Sequence, residues 1–289
     1  MKYTTKVVTV LGGGTMGRGI ALTIARGGHR VQLIDKDPAQ LASAHQWAQQ
    51  FLQGSIQRGK LDSADADQIL NRFAVSEEPD DASLSNLVIE ALPEVLSLKR
   101  RVLGRIQDRA QHEVTIHSNT STLSISDIAE GLPAPQLCIG THYCNPAPVM
   151  PLVEVACGTA TAQTTVDQTL DFLRGAGKTP VVLKDRPGLI TNFLVVAFEN
   201  DAVRAFESGI GTFAEIDRVV LESMKFPIGP FRLLDTVGLD VHVAVSESLH
   251  AQLGDDQYLV PQTIRDMVAR GDLGVKSGHG FYEYTETKI

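Results

Sequence analysis

A glycine pattern near the start of the chain, Gly-x-Gly-x-x-Gly over residues 12–17, restricts its possible folds more than any other feature. The apolar run 6–11 directly precedes this pattern and is typical of a buried strand. Residues 15–28 carry apolar side chains at helical rather than alternating spacing, and residues 30–35 again resemble a strand. The sequence therefore predicts a strand, a glycine turn, a helix and a second strand, the first unit of a parallel sheet.

Each glycine has a physical task in such a unit. Gly12 permits a tight turn, Gly14 lets a pyrophosphate approach the backbone, and Gly17 lets the helix and the strand pack closely. The start of the helix, at Thr15 and Met16, supplies unpaired N–H groups and a partial positive charge that favour phosphate. The alternative is a glycine-rich turn without a ligand. The strand, the helix and the spacing together favour a dinucleotide site.

Asp35 stands eighteen residues beyond Gly17, at the end of the second predicted strand. Its carboxylate can accept hydrogen bonds from both hydroxyl groups of the adenosine ribose of NAD, and it would repel the 2′-phosphate of NADP. The alternative for Asp35 is an ordinary solvated strand end. The sequence thus predicts NAD as the cofactor.

The chain divides into two parts of different character. Strand-like and helical runs alternate up to Asp185, which predicts an α/β fold with a Rossmann-type, mainly parallel sheet. Beyond that point only helical runs occur, so we expect an NAD-binding domain over residues 1–185 and an all-helical C-terminal domain over 186–289. The further predicted strands are 87–90, 114–117, 137–142, 152–156 and 180–183, and the further predicted helices are 38–58, 66–72, 95–110, 165–176, 189–206, 213–224, 239–253 and 261–270.

The composition excludes several classes of protein. Hydrophobic residues make up 43% of the 289 residues and charged residues 21%, which is close to globular averages. A net charge of -8 disfavours binding to nucleic acid or to anionic membranes. The 3 cysteines have no metal-binding spacing, and the apolar run near the start is too short for a signal peptide. We therefore expect a cytoplasmic protein without a metal site.

The segment 140–155 could bring a histidine and a glutamate together. His142 ends one predicted strand and Glu154 lies within the next, and three prolines between them forbid a continuous helix or ladder. If the chain turns back there, a carboxylate bonded to one imidazole nitrogen would fix the tautomer and leave the other nitrogen to exchange a proton with a substrate. The alternative is a structural histidine at a strand end.

Five ordered motifs resemble the L-3-hydroxyacyl-CoA dehydrogenase family, which includes the 3-hydroxybutyryl-CoA dehydrogenases. They are the glycine turn 12–17 and the segments 88–94, 118–125, 142–154 and 184–192, and the likeness continues through 229–240 and 278–282. The resemblance therefore covers nearly the whole chain in order.

The resemblance implies catalytic roles for four residues. His142 matches the family's catalytic histidine, and Glu154 matches the acid that pairs with it. Ser121 and Asn192 match the hydroxyl and the amide that contact the substrate oxygen and the nicotinamide region. Without the resemblance, Ser121 would be interpreted as a helix cap and Asn192 as a polar helix residue.

Four further residues are implied on the cofactor side of the pocket: Glu94, Lys99, Asn119 and Asn145. Glu94 and Lys99 match residues near the nicotinamide ribose. Asn145 matches the asparagine that follows the histidine and helps to shape the same pocket; otherwise it would simply start the proline turn.

The resemblance implies an NAD-dependent enzyme of fatty-acid metabolism that reversibly oxidises (S)-3-hydroxyacyl-CoA. Its active site would lie in the cleft between the two domains, and its helical domain would also form a homodimer interface. Two alternatives stay open. One is a related dehydrogenase of a free 3-hydroxy acid, as for carnitine or gulonate, and the other is a dinucleotide-binding protein without turnover.

Overall fold

The computed structural model describes residues 7–284, without the side chains of residues 79 and 80. Lys6, the first residue of the first predicted strand, lies outside the described residues, as do the ends of the two predicted domains, 1–6 and 285–289. The chain forms two compact units, which divide between Arg186 and Pro187. Over residues 7–284, no helix combines the length and the apolar character that crossing a membrane requires.

The N-terminal unit is built on an eight-stranded sheet with the order β3-β2-β1-β4-β5-β6-β7-β8. Neighbouring strands pair in parallel except β6 and β7, which are antiparallel. The predicted Rossmann-type, mainly parallel sheet is thereby confirmed. The strands are β1 (Val7–Leu11), β2 (Arg30–Ile34), β3 (Phe73–Ser76), β4 (Leu87–Glu90), β5 (Thr115–Ser118), β6 (Cys138–Tyr143), β7 (Leu152–Cys157) and β8 (Thr179–Lys184).

The central strands of this sheet are mainly apolar and buried, which is typical of strands that helices cover on both faces. Val10 of β1 and Ile89 of β4 are fully buried, and Ile20 of the first helix packs in the same core cluster. The helices of the unit are α1 (Thr15–Arg26), α2 (Pro38–Gln57), α3 (Ser63–Leu70), α4 (Leu96–Arg109), α5 (Ile125–Ala129) and α6 (Gln163–Gly175).

The described part of the C-terminal unit consists mainly of helices, as the sequence predicts. Its core contains four phenylalanines, Phe206, Phe213, Phe231 and Phe281, whose rings pack at centroid distances from 4.7 to 6.4 Å. The helices are α7 (Thr191–Glu207), α8 (Phe213–Ser223), α9 (Pro230–Val237), α10 (Leu239–Leu253) and α11 (Gln262–Arg270).

Three short elements, β3, α5 and α9, have no counterpart among the predicted ones, and α5 has only five residues. β3 has four residues, of which only Phe73 is buried, and a strand this short at the edge of a sheet carries little periodic signal. α9 has eight residues and starts with Pro230 at its first turn, directly after Gly229. A proline at this place is a helix-start signal, but the apolar run behind it is too short to define a helix by periodicity.

Candidate active site

The glycine turn between β1 and α1 has room for no side chain at two of its positions. Gly12 has a φ of 100°, and a Cβ there would come within 2.5 Å of the carbonyl oxygen of Ala91. A Cβ on Gly17 would collide with the carbonyl oxygen of Gly12. These two glycines are therefore required for the turn itself and for the close packing of α1 on the sheet.

Gly14 differs from its neighbours because it faces open space. Its backbone is extended, with a φ of -65°, and no atom of the described residues lies within 4 Å of the position that a Cβ would take. The N-terminus of α1 begins there, without a capping side chain in the described part of the chain and without an acidic residue in its first turn. Thr15 is exposed and Met16 half-buried. An uncapped helix start beside an open glycine fits the pyrophosphate of a dinucleotide.

Asp35 lies directly after β2 and against the glycine turn. Its Oδ2 accepts a hydrogen bond of 2.6 Å from the backbone N–H of Gly13, and its Oδ1 accepts one of 2.9 Å from the N–H of Asp37. The carboxylate remains partly exposed. An acceptor is therefore held beside the open turn, where an adenosine ribose would need one.

His142 and Glu154 face each other across the only antiparallel pair in the described sheet. They are register partners in β6 and β7, and Nδ1 of the imidazole lies 2.8 Å from Oε2 of the carboxylate. Both residues are buried, with exposed fractions of 8% and 2%. The structure thus places the two side chains in the contact that a return of the chain would produce.

Ser121 completes a chain of three polar side chains. Its Oγ lies 3.1 Å from Nε2 of His142, the ring nitrogen that does not face Glu154. Ser121 belongs to the segment between β5 and α5. The histidine is therefore oriented by a carboxylate on one side and meets a hydroxyl group on the other, which is a geometry suited to proton transfer.

Glu94 holds the segment that carries Ser121. Its Oε1 accepts hydrogen bonds of 2.8 Å from the backbone N–H groups of Ser121 and Thr122, and a short one of 2.5 Å from the hydroxyl group of Thr120. Burial raises the pKa of Glu94, but the Lys99 ammonium and these hydrogen bonds outweigh it, so that the pKa lies below its usual value. Glu94 therefore stays ionised and fixes the loop.

Lys99 lies inside the unit and pairs with two carboxylates. Its Nζ is 2.6 Å from Oε1 of Glu90 and 3.1 Å from Oε2 of Glu94, and only 1% of the residue is exposed. Glu90 also accepts a hydrogen bond of 2.6 Å from the hydroxyl group of Ser118. Burial raises the pKa of Glu90, and the Lys99 charge opposes that shift. The structure thus directs the Lys99 ammonium towards Glu90 and Glu94.

Sequence reasoning assigns no role to Glu90, although its residue type gives a signal. An acidic residue at the end of a fully apolar strand needs a buried partner, and the only basic residues nearby in sequence lie on the next helix. Lys99 is that partner.

The remaining predicted site residues lie in three different places. Asn119 follows β5, and its Oδ1 accepts a 2.9 Å hydrogen bond from the N–H of Tyr143, next to His142. Asn145 is exposed in the connection between β6 and β7. Asn192 lies in the C-terminal unit, half-buried in the first turn of α7. The N-terminal unit therefore gathers Ser121, the His142–Glu154 pair and Asn119, and Asn192 belongs to the other unit.

The fold and the site together define a class of protein. A Rossmann-type sheet with an open glycine turn, an acidic residue after its second strand and a buried histidine–carboxylate pair is typical of a nicotinamide-dinucleotide-dependent dehydrogenase.

Comparison with known proteins gives the family. A family model described as "3-hydroxyacyl-CoA dehydrogenase, NAD binding domain" matches residues 7–186, and one described as "3-hydroxyacyl-CoA dehydrogenase, C-terminal domain" matches residues 188–284. The chain belongs to the 3-hydroxyacyl-CoA dehydrogenase family.

Individual relatives match over almost their full length. The chain is 34% identical to the probable 3-hydroxybutyryl-CoA dehydrogenase of Bacillus subtilis, over 97% of this chain and 98% of that protein. It is 36% identical to the mitochondrial hydroxyacyl-coenzyme A dehydrogenase of Mus musculus, over 98% of this chain and 92% of that protein. The crystal structure of the (S)-3-hydroxybutyryl-CoA dehydrogenase from Ralstonia eutropha matches with a TM-score of 0.90 and 35% identity, over 98% of this chain and 100% of that one.

Family membership makes the chain an NAD-dependent oxidoreductase that oxidises 3-hydroxyacyl-CoA. The prediction of NAD as the cofactor is confirmed by the NAD binding domain that spans the glycine turn and Asp35.

Proposed function

We propose that the chain interconverts (S)-3-hydroxyacyl-CoA and 3-oxoacyl-CoA with His142 as the general base and acid. The observation that carries this proposal is the placement of the imidazole between Glu154, at 2.8 Å, and Ser121, at 3.1 Å. In a site of this kind, one ring nitrogen is held by an acceptor and the other remains available to the reacting oxygen.

Glu154 would act through the imidazole. Its Oε2 accepts the Nδ1–H hydrogen bond, which leaves Nε2 unprotonated and able to take the hydroxyl proton of the substrate. When that proton arrives, the ring becomes an imidazolium, and the nearby carboxylate stabilises the positive charge. The pair is buried, so solvent screens this interaction less than it would at the surface. In the reverse direction the imidazolium returns the proton to the oxygen of the 3-oxo group.

Ser121 and Asn192 would orient the reacting oxygen. The Ser121 hydroxyl group shares the Nε2 side of the ring and can donate a hydrogen bond to the substrate alkoxide or carbonyl. For Asn192 we propose a contact from its side-chain amide to the substrate oxygen and the nicotinamide region.

Bound NAD would supply the acceptor for the hydride that leaves C3 of the substrate. The N–H groups at Gly14, Thr15 and Met16 would hold its pyrophosphate, beside the turn that Gly12 and Gly17 shape, because that helix start is open and uncapped.

Other residues would contact the remaining parts of the cofactor. Asp35 would bind the adenosine ribose, and Glu94, Asn119 and Asn145 would flank the nicotinamide. For Lys99 we propose an indirect part through Glu94, because its ammonium group is enclosed by Glu90 and Glu94.

We also propose that the protein is a cytoplasmic homodimer assembled through the C-terminal unit. Large apolar side chains remain exposed in this unit when it is taken as a monomer, among them Leu194 at 58% and Val219 at 59%. The free thiols Cys138, Cys144 and Cys157 suit a reducing compartment. Light scattering at micromolar concentration should return twice the chain mass of 31.2 kDa, and a monomeric mass would contradict the dimer.

A panel of initial rates tests the proposed reaction. Reduction of 3-oxoacyl-CoAs of increasing chain length would be compared with reduction of free 3-oxo acids, each with NADH and with NADPH. We expect turnover of the CoA thioesters with NADH. Comparable or faster reduction of the free acids would favour a dehydrogenase of free 3-hydroxy acids, and NADH binding without turnover of any substrate would favour a non-catalytic protein.

A further inference from the structure

The connection between β6 and β7, residues 144–151, joins the strand that carries His142 to the strand that carries Glu154. We propose that Lys178, which lies outside this connection, is a positioning residue for the pair. By binding two carbonyl groups of the connection, it fixes the alignment of the histidine and the glutamate and keeps the connection against α1. This inference rests on the proposed role of His142.

Lys178 is a buried cation whose hydrogen-bond partners are neutral. Its Nζ donates hydrogen bonds to the carbonyl oxygens of Ala147, at 2.5 Å, and of Met150, at 2.9 Å. The residue is only 8% exposed, and none of the described carboxylates lies within ion-pair distance of the ammonium group. Burying a charge is unfavourable unless the group is well bonded. One ammonium group thus ties together two carbonyls that lie three residues apart in the same connection.

The backbone next to Lys178 is coupled to the strand of Glu154. Thr179, the next residue, donates a 2.8 Å hydrogen bond from its N–H to the carbonyl oxygen of Pro151, and β8 then pairs in parallel with β7. Glu154 is the register partner of Val181 in this pairing. Lys178 therefore anchors the connection at the point where β7 and β8 begin.

The same connection also packs against the helix of the cofactor site. Arg26, at the end of α1, donates a 2.9 Å hydrogen bond to the carbonyl oxygen of Pro148. Gly19 of α1 lies so close that a Cβ there would be 3.4 Å from Cδ of Pro148 and 3.5 Å from Cβ of Ala147. The connection thus links α1, whose first turn faces the glycine turn, to the two strands of the histidine–glutamate pair.

The alignment of α1 with the two strands of the histidine–glutamate pair matters, because the substrate has to be bound in one geometry that permits both proton transfer and hydride transfer. A misplacement of about 1 Å at a reacting group can cost roughly a hundredfold in rate.

Two positive side chains, Lys178 and Arg26, are kept close together at this connection. Burial and, to a smaller extent, the Arg26 charge lower the pKa of Lys178, and Cys144 opposes that shift. Lys178 thereby acts on the reaction without touching the substrate.

The test compares Lys178→Met, Lys178→Gln and Lys178→Arg with the wild type in 3-oxoacyl-CoA reduction, with rates expressed per NADH-binding site. Lys178→Met keeps most of the side-chain volume and removes both hydrogen bonds. We expect its kcat to fall about tenfold or more, whereas the Kd of NADH changes less than about threefold. The kcat of Lys178→Gln, which keeps one donor group, should lie between those of Lys178→Met and Lys178→Arg. Lys178→Arg should retain most of the wild-type activity. Lys184→Met, at an exposed lysine at the far end of β8, is the matched control.

The pH profile separates positioning from simple stabilisation of the fold. Reduction requires the imidazolium, and a Glu154 carboxylate that is held less firmly against the ring stabilises that cation less. Lys178→Met should therefore move the profile to lower pH in the wild-type background and should move it little in a Glu154→Gln background. If Lys178→Met does not fold, the same comparison is made with Lys178→Gln.

Two negative results have different meanings. An unchanged kcat per NADH site and an unmoved profile in the Lys178 variants would overturn the positioning role alone. A His142→Asn variant that reduces 3-oxoacyl-CoA as fast as the wild type would overturn the proposed function itself.

Discussion

The substitution Gly14→Ala separates cofactor binding from folding at the glycine turn. Gly14 has a φ of -65°, which alanine adopts without strain, and its Cβ would meet no atom of the described residues within 4 Å. The substitution should lower the free energy of unfolding by about 0.5 to 1 kcal/mol, because alanine is a poorer helix N-cap than glycine. This corresponds to a decrease of a few degrees in Tm.

The expected effect on binding is much larger. The new methyl group would occupy the open space through which the pyrophosphate approaches the N–H groups of Thr15 and Met16. Hydrogen bonds to a charged group contribute about 1.5 to 3 kcal/mol each. The loss of one such bond corresponds to roughly a tenfold to hundredfold rise in the Kd of NADH.

NADH fluorescence titration and thermal unfolding measure the two effects separately. Gly175→Ala is the matched control, because Gly175 also faces open space but lies at the end of α6, away from the glycine turn. Gly17→Ala should impair both folding and binding, since its Cβ would collide with the carbonyl oxygen of Gly12. If Gly14→Ala binds NADH as tightly as the wild type, the pyrophosphate does not lie on this turn.

Three further predictions concern single side chains. We expect the wild type to prefer NADH over NADPH roughly tenfold to hundredfold in kcat/KM. Asp35→Ala should raise the KM for NADH and make this preference smaller. A wild-type kcat/KM that is equal or higher with NADPH would contradict the role of Asp35. Ser121→Ala should lower kcat about a hundredfold and leave the loop in place, because Glu94 also holds that loop through the backbone N–H of residue 121; an unchanged kcat would exclude the hydroxyl group from the reaction. Burial raises the pKa of Cys138 to about 12, whereas an unfolded thiol has a pKa of ~8.5, so the free energy of unfolding should fall as the pH rises above that value. Between pH ~8 and ~10.5, the free energy of unfolding measured with urea should fall less for Cys138→Ala than for the wild type, by roughly 2 to 3 kcal/mol, and equal falls would refute the raised pKa.

Local sequence patterns predict the parts of this protein that depend on neighbouring residues. The turn after β1 follows from the glycine spacing, because φ and close packing at Gly12 and Gly17 admit no other residue. The prolines between the two strand runs exclude a continuous helix or ladder and so make a return of the chain possible, and in the structure that return brings His142 and Glu154 together.

Contacts between distant segments could not be predicted in the same way. Glu94 binds the loop of Ser121, which lies 27 residues further along the chain, and Lys178 binds Ala147, which lies 31 residues before it. Such contacts depend on which loops the strand order brings together, and a local pattern of residue types contains no information about that order. The pair of Glu90 and Lys99 is closer to a local pattern, because a buried acid at the end of β4 requires a cation and the nearby basic residues lie on α4.

The central claim, that His142 and Glu154 act as one proton-transfer unit, is tested most directly by a double-mutant cycle on kcat. A positioned proton-transfer group contributes about a hundredfold to ten-thousandfold, so His142→Asn should lower kcat by that order and leave NADH affinity nearly intact. Glu154→Gln should also lower kcat, and the double variant should be scarcely slower than His142→Asn alone, because the carboxylate acts only through the imidazole. Losses that add in the double variant would show that Glu154 does not work through His142 and would contradict the account.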